Sequence, residues 1–160
     1  MNKLWIAVML LFLLLAAVAV YKVMPLLNPE VARVAPLDPA CDLRAGPCSS
    51  DLPGGGRVTF AISPAEIPVV KPLTLDVKVE GIPADSVEID FQGVDMNMGF
   101  NRPRLSRLSQ GHFSGPGMIP VCVRDAMEWE ARVLVASDDG LIAAPYRFIT
   151  VKPGVELPTR

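Results

Sequence analysis

The chain has 160 residues, enough for one ordinary domain with appendages, and its 51% hydrophobic content is inflated by a single segment at the start. From residue 24 onward, 13 Lys and Arg stand against 17 Asp and Glu, a net charge of minus four with the signs interspersed. No basic face for phosphates follows from such a balance, so nucleic acid is not an expected partner.

Residues 4–20, LWIAVMLLFLLLAAVAV, are a run of 17 without a charge, and Tyr21, Lys22 and Val23 extend it across a hydrocarbon core by snorkelling. Residues 1–23 therefore read as an export element whose partner is the lipid bilayer. One reading is an uncleaved transmembrane anchor; the other is a signal peptide, with Ala17-Val18-Ala19 as the small-residue cleavage pattern. The apolar run exceeds a usual signal core and only Lys3 precedes it, which favours the anchor. Lys3 and the amino terminus oppose Lys22, Arg33 and Arg44, so charge specifies the orientation weakly. With the amino terminus taken as cytoplasmic, the expectation is a single-pass protein of a bacterial inner membrane whose domain faces the periplasm.

Residues 24–56 read as a Pro-rich extracytoplasmic linker, because Pro25, Pro29, Pro36, Pro39, Pro47 and Pro53 deny both helix and central strand. It is expected to run over the surface as an extended strap. Within it, CDLRAGPC holds Cys41 and Cys48. In an oxidising compartment these most simply form a disulfide, closing an eight-residue loop and adding about 2.5 kcal/mol in the chain-entropy model. A metal or redox pair is the rival, at a spacing wider than thioredoxin-like chemistry uses. The run Gly54-Gly55-Gly56 is a turn signal and lacks the Lys and Ser or Thr of a phosphate-binding loop.

Residues 57–152 switch to a period of two. In LTLDVKVE, Leu73, Leu75, Val77 and Val79 alternate with Thr74, Asp76, Lys78 and Glu80, as a half-buried strand requires. Val87, Ile89 and Phe91 repeat the pattern, and the turn GIPADS predicts that the two runs pair antiparallel. Further strands are expected at Val58, Phe60 and Ile62, near His112 and Phe113, over residues 118–123, at Trp129, Ala131, Val133 and Val135, and over 146–151. About seven short strands punctuated by Pro, Gly and Asp argue for an all-β domain, an antiparallel β-sandwich of immunoglobulin-like shape. Residues 153–160 are left as a C-terminal tail.

The single histidine, His112, restricts the chemistry. A blue-copper electron-transfer site needs two His and a Cys, and catalytic zinc sites of the multi-His type fail on the same count. No G-x-S-x-G nucleophile elbow accompanies the Ser, His and Asp residues, and Glu128 and Glu130 flank Trp129 as a solvated face would. The expectation is a protein that is not an enzyme.

The stretch GVDMNMGFNRPRL, residues 93–105, sets two methionines one residue apart in polar company. On an extended backbone over 95–99, Met96 and Met98 project from one face about 6.5 to 7 Å apart. Thioethers select Cu(I) by softness and, unlike thiols, form no disulfides, which suits an oxidising compartment. His112, Met118, Cys122 and Met127 follow as further candidate donors. The plainer reading is methionine as core filler, sharing a face with Phe100. Cys122 lies between Val121 and Val123 and is either a buried inert thiol, a reactive one or a ligand. Arg102, Arg104 and Arg107 form either a solvated loop or a docking surface for an acidic partner.

The order of membrane anchor, β-rich exported domain, Met96-Asn97-Met98-Gly99, Gly111-His112-Phe113 and Met127-Glu128-Trp129-Glu130-Ala131 resembles the YtkA-like and FixH-like proteins. These are small membrane-tethered immunoglobulin-like domains associated with copper handling and cytochrome oxidase assembly. The resemblance covers residues 57–151 and implies Met96 and Met98 as copper ligands, with Trp129 in the core. It departs at Phe100, where a histidine would strengthen a metal site, and at the inserted CDLRAGPC strap. The function it implies is an accessory protein that binds Cu(I) through Met96 and Met98, with His112, Met118 or Cys122, for a respiratory oxidase or copper-trafficking partner. The alternatives are a metal-free interaction module that stabilises an inner-membrane complex and a thiol redox protein using Cys41 and Cys48.

Overall fold

The computed structural model describes residues 2–27 and 30–155. Most of the expected C-terminal tail, and positions 28 and 29 of the expected linker, lie outside the described residues. Two compact units emerge, Met1–Glu30 and Val31–Arg160.

The first unit is one helix, α1, Lys3–Leu27. It is long and apolar enough to be a single membrane span or a signal sequence. Every described side chain from position 2 to 25 is exposed. The helix continues past the expected boundary at Val23: Pro25 falls in its last turn, where the proline interrupts little remaining helix.

The described residues of the second unit are all strand and loop. A four-stranded sheet has the order β1-β9-β8-β5 and a five-stranded sheet the order β2-β3-β4-β7-β6. In chain order the strands are β1 (Arg33–Val34), β2 (Cys48–Asp51), β3 (Arg57–Ser63), β4 (Leu73–Glu80), β5 (Ser86–Gly93), β6 (Ser106–Ser109), β7 (His112–Gly117), β8 (Ala126–Ser137) and β9 (Gly140–Val151). Strand β1 runs parallel to β9; the other pairs are antiparallel.

The alternating apolar residues of both sheets meet in one core. Leu73, Leu75, Val77 and Val79 of β4 are buried, as are Trp129, Ala131, Val133 and Val135 of β8. The rings of Phe60 (β3) and Tyr146 (β9) lie 5.4 Å apart, and the Tyr146 hydroxyl donates to the Val58 carbonyl at 3.0 Å, joining the two sheets. Trp129, fully buried, satisfies its indole N–H by donating to Thr150 Oγ1 at 2.9 Å, which removes the penalty of an unpaired donor in the core.

Three expectations about elements change. Strands β4 and β5 do not pair: β4 lies between β3 and β7, and β5 pairs with β8 in the other sheet. Alternation demands one buried face for each strand, and a crossing between sheets satisfies that as well as a hairpin does. Residues 118–123 form a loop, where Pro120 has no amide to donate and Val121 and Val123 are 56% and 86% exposed.

The stretch read as a surface strap is also partly built into the core. The Pro-rich stretch contributes β1 and β2, both at sheet edges where proline-flanked strands are tolerated, and buries Ala35, Leu43 and Leu52. Cys41 and Cys48 are disulfide-bonded.

The outer margin of β5 is backed by the segment 101–105. Ile89 and Phe91 donate their amides to the carbonyls of Pro103 and Asn101, and Leu105 donates to Val87.

Candidate functional site

Strand β5 ends at Gly93, opposite Trp129, and the chain turns away through residues 94–96. The stretch expected to remain extended over 95–99 therefore bends at its start. Met96 and Met98 still fall on one side: both are half-buried and packed against the core, while Asp95, Asn97 and Gly99 are exposed. The Asn97 side chain accepts from the Gly99 amide at 2.8 Å, and the Val94 amide donates to Glu128.

A second loop, 118–125, lies against this one. The Cys122 thiol donates to the Met96 thioether, Sγ to Sδ 3.5 Å. Asp95 and Arg124 form an ion pair at 3.2 Å, and Asn101 donates to the Met118 carbonyl at 2.9 Å. Lys152 Nζ donates to the Val123 carbonyl at 2.8 Å and to Asp125 Oδ1 at 3.1 Å. The sulfur pair thus sits between two loops joined to each other and to the end of β9. Cys122 is half-buried and not disulfide-bonded.

Two sulfurs at this separation match two ligands on one soft ion: with metal–sulfur bonds of about 2.3 Å, as zinc thiolates have, the angle at the metal is roughly 100°. Met98 approaches from the same loop, its Cγ beside Gly93. Among the described residues no three His, Cys, Asp or Glu side chains gather as a metal-holding group, and the carboxylate beside Met96, Asp95, is already paired with Arg124.

His112 is not brought to the pair. His112 opens β7 opposite Lys78, and its Nε2 lies 2.7 Å from Asp76 Oδ2. The loop carrying Cys122 begins at the far end of β7, after Gly117, about 16 Å along the strand. Met118, in the loop that carries Cys122, is 51% exposed, and its carbonyl accepts from Asn101.

The arginines divide. Arg102 is not a solvated loop residue: its side chain and that of Asp90 are 7% and 8% exposed and bond at 3.1 Å. Arg107 donates to the carbonyls of Ala84 and Asp85 and stacks on Phe113 at 5.0 Å. Arg104 is exposed. Glu130 accepts from Arg132 and Arg147 at 2.7 and 3.2 Å, an ion-pair cluster on the outer face of β8 and β9.

Sequence reasoning passed over Gly93. A glycine at a strand end signals close approach of another group, and that signal was available.

Compared with protein-family models, with curated proteins and with solved structures, the chain matches none.

Proposed function

We propose that the chain is a membrane-tethered periplasmic accessory protein whose immunoglobulin-like β-sandwich binds Cu(I) through Met96 and Met98, joined by Cys122, and passes it on in copper handling or cytochrome oxidase assembly. This is the role associated with the YtkA-like and FixH-like proteins that its motifs resemble. The observation that carries the reading is the 3.5 Å approach of Cys122 Sγ to Met96 Sδ, with Met98 beside them. Soft donors on two loops suit a carrier, because each can rotate away as an acceptor's ligand takes its place.

The test is an anaerobic Cu(I) titration of the full chain in detergent against a competing chelator. Wild type binds one equivalent, and replacing Met96 and Met98 together by Leu lowers the affinity at least about tenfold. Unchanged affinity in that variant removes the assignment.

A metal-free interaction module for an inner-membrane complex is the second reading. Phe100, Val121 and Val123 favour it, being 62%, 56% and 86% exposed near the same loops. It predicts that the double Leu variant still co-purifies with its membrane partner, and that the exposed Arg104 and Arg107, not the buried Arg102 side chain, supply the docking charge.

A further inference from the structure

The N-terminal helix and its leader residue hold three of the seven methionines; Met96, Met98, Met118 and Met127 belong to the β unit. Three of these four meet at one glycine. A Cβ on residue 93 would lie 2.3 Å from Met127 Cε, 2.4 Å from the Met96 carbonyl oxygen and 3.1 Å from Met98 Cγ. The methyl end of Met127 therefore occupies the volume that any other side chain at 93 would claim. Met127 comes from the start of β8, is 4% exposed, and pairs across the sheet with Thr150.

We infer that Met127 is the fourth donor of a site formed with Met96, Met98 and Cys122, and that Gly93 is the positioning residue that lets the four sulfurs converge. This rests on the copper reading above. The unbranched Met127 side chain reaches the bare face of Gly93 with its methyl, and its sulfur lies one bond short of that methyl, on the side of the Met96–Met98 loop. The bare face of Gly93 lets a donor on a hydrogen-bonded strand reach the two loop thioethers. A strand-held donor gives the site a fixed reference, and the loop donors close on it. Cys122 releases its proton to solvent on binding, so one anionic and three neutral sulfurs offset the single charge of the cation, which reduces the cost of holding it half-buried.

The experiment is X-ray absorption spectroscopy at the copper edge on the full chain loaded with one equivalent of Cu(I) in detergent, with the chelator competition repeated on each variant. Wild type shows four sulfur neighbours. Met127→Leu, a volume-conserving change, keeps the fold by circular dichroism, shows three, and loses affinity about tenfold. Gly93→Ala lowers affinity at least as much, because the new methyl group forces Met127 or the Met96 backbone aside. Equal affinity and an equal sulfur count in wild type and Met127→Leu overturn the inference and leave the copper reading standing. Failure of wild type to take up Cu(I), or indifference to loss of Met96 and Met98, overturns both.

Discussion

Arg102 and Asp90 form a 3.1 Å ion pair with both side chains more than nine-tenths buried, and the pair pins the downstream end of the Met96–Met98 loop to β5. Gln92 adds a second bond to the same carboxylate oxygen at 2.7 Å. Burying two charges is expensive, and removing Asp90 takes the carboxylate from a guanidinium that keeps its stack on Phe100. Asp90→Ala is therefore expected to cost about 3 to 5 kcal/mol in urea unfolding followed by Trp129 fluorescence, whereas Asp90→Leu combined with Arg102→Met costs far less. A loss below about 1 kcal/mol in the single variant would mean that water and the remaining contacts of the guanidinium compensate it.

Burial pushes the Tyr146 hydroxyl up to about 12 from its ordinary 10.0. The unfolded chain releases this proton near 10 and the folded one only near 12, so the contribution is intact below pH 10 and disappears as pH rises to 12. Unfolding free energy is expected to drop by up to about 3 kcal/mol across that window. Tyr146→Phe flattens the drop and costs about 1 kcal/mol at neutral pH through the lost bond to Val58. Denaturation curves collected from pH 9 to 12 on both proteins decide it, and identical profiles refute the assignment to Tyr146.

Val70 holds φ of 55°, a left-handed conformation that crowds a β-branched side chain, while its amide donates to the Ile119 carbonyl in the Cys122 loop. The side chain is 58% exposed, so little burial is lost by replacing it. Val70→Asn retains the amide bond, tolerates the backbone, and is expected to raise stability by about 1 kcal/mol. A lower thermal midpoint for this variant contradicts the expectation.

Periodicity made much of the fold legible. The apolar positions of β4 and β8 are the buried ones, because alternation reports which side of a strand faces hydrocarbon. It carries no information about which strand lies alongside, so β4 and β5 looked like a hairpin while lying in separate sheets. The valines flanking Cys122 were apolar enough for a strand but face solvent around Pro120. Both readings of Arg102, solvated loop and docking surface, leave out its burial, because nothing local marks Asp90, 12 residues earlier, as its partner. The side preference of Met96 and Met98 was visible in their spacing. Cys122, 26 residues from Met96 and on another loop, depended on tertiary closure.

The backing of β5 by residues 101–105 has a consequence for behaviour in a crowded compartment. A naked sheet margin is a template on which another chain can lay down a strand, and this one is already occupied along Val87, Ile89 and Phe91 by the protein's own backbone. The segment that delivers the sulfur loop thereby also acts as a guard against fibril-type growth. Mutations that detach it are expected to produce intermolecular assembly before they produce an unfolded monomer.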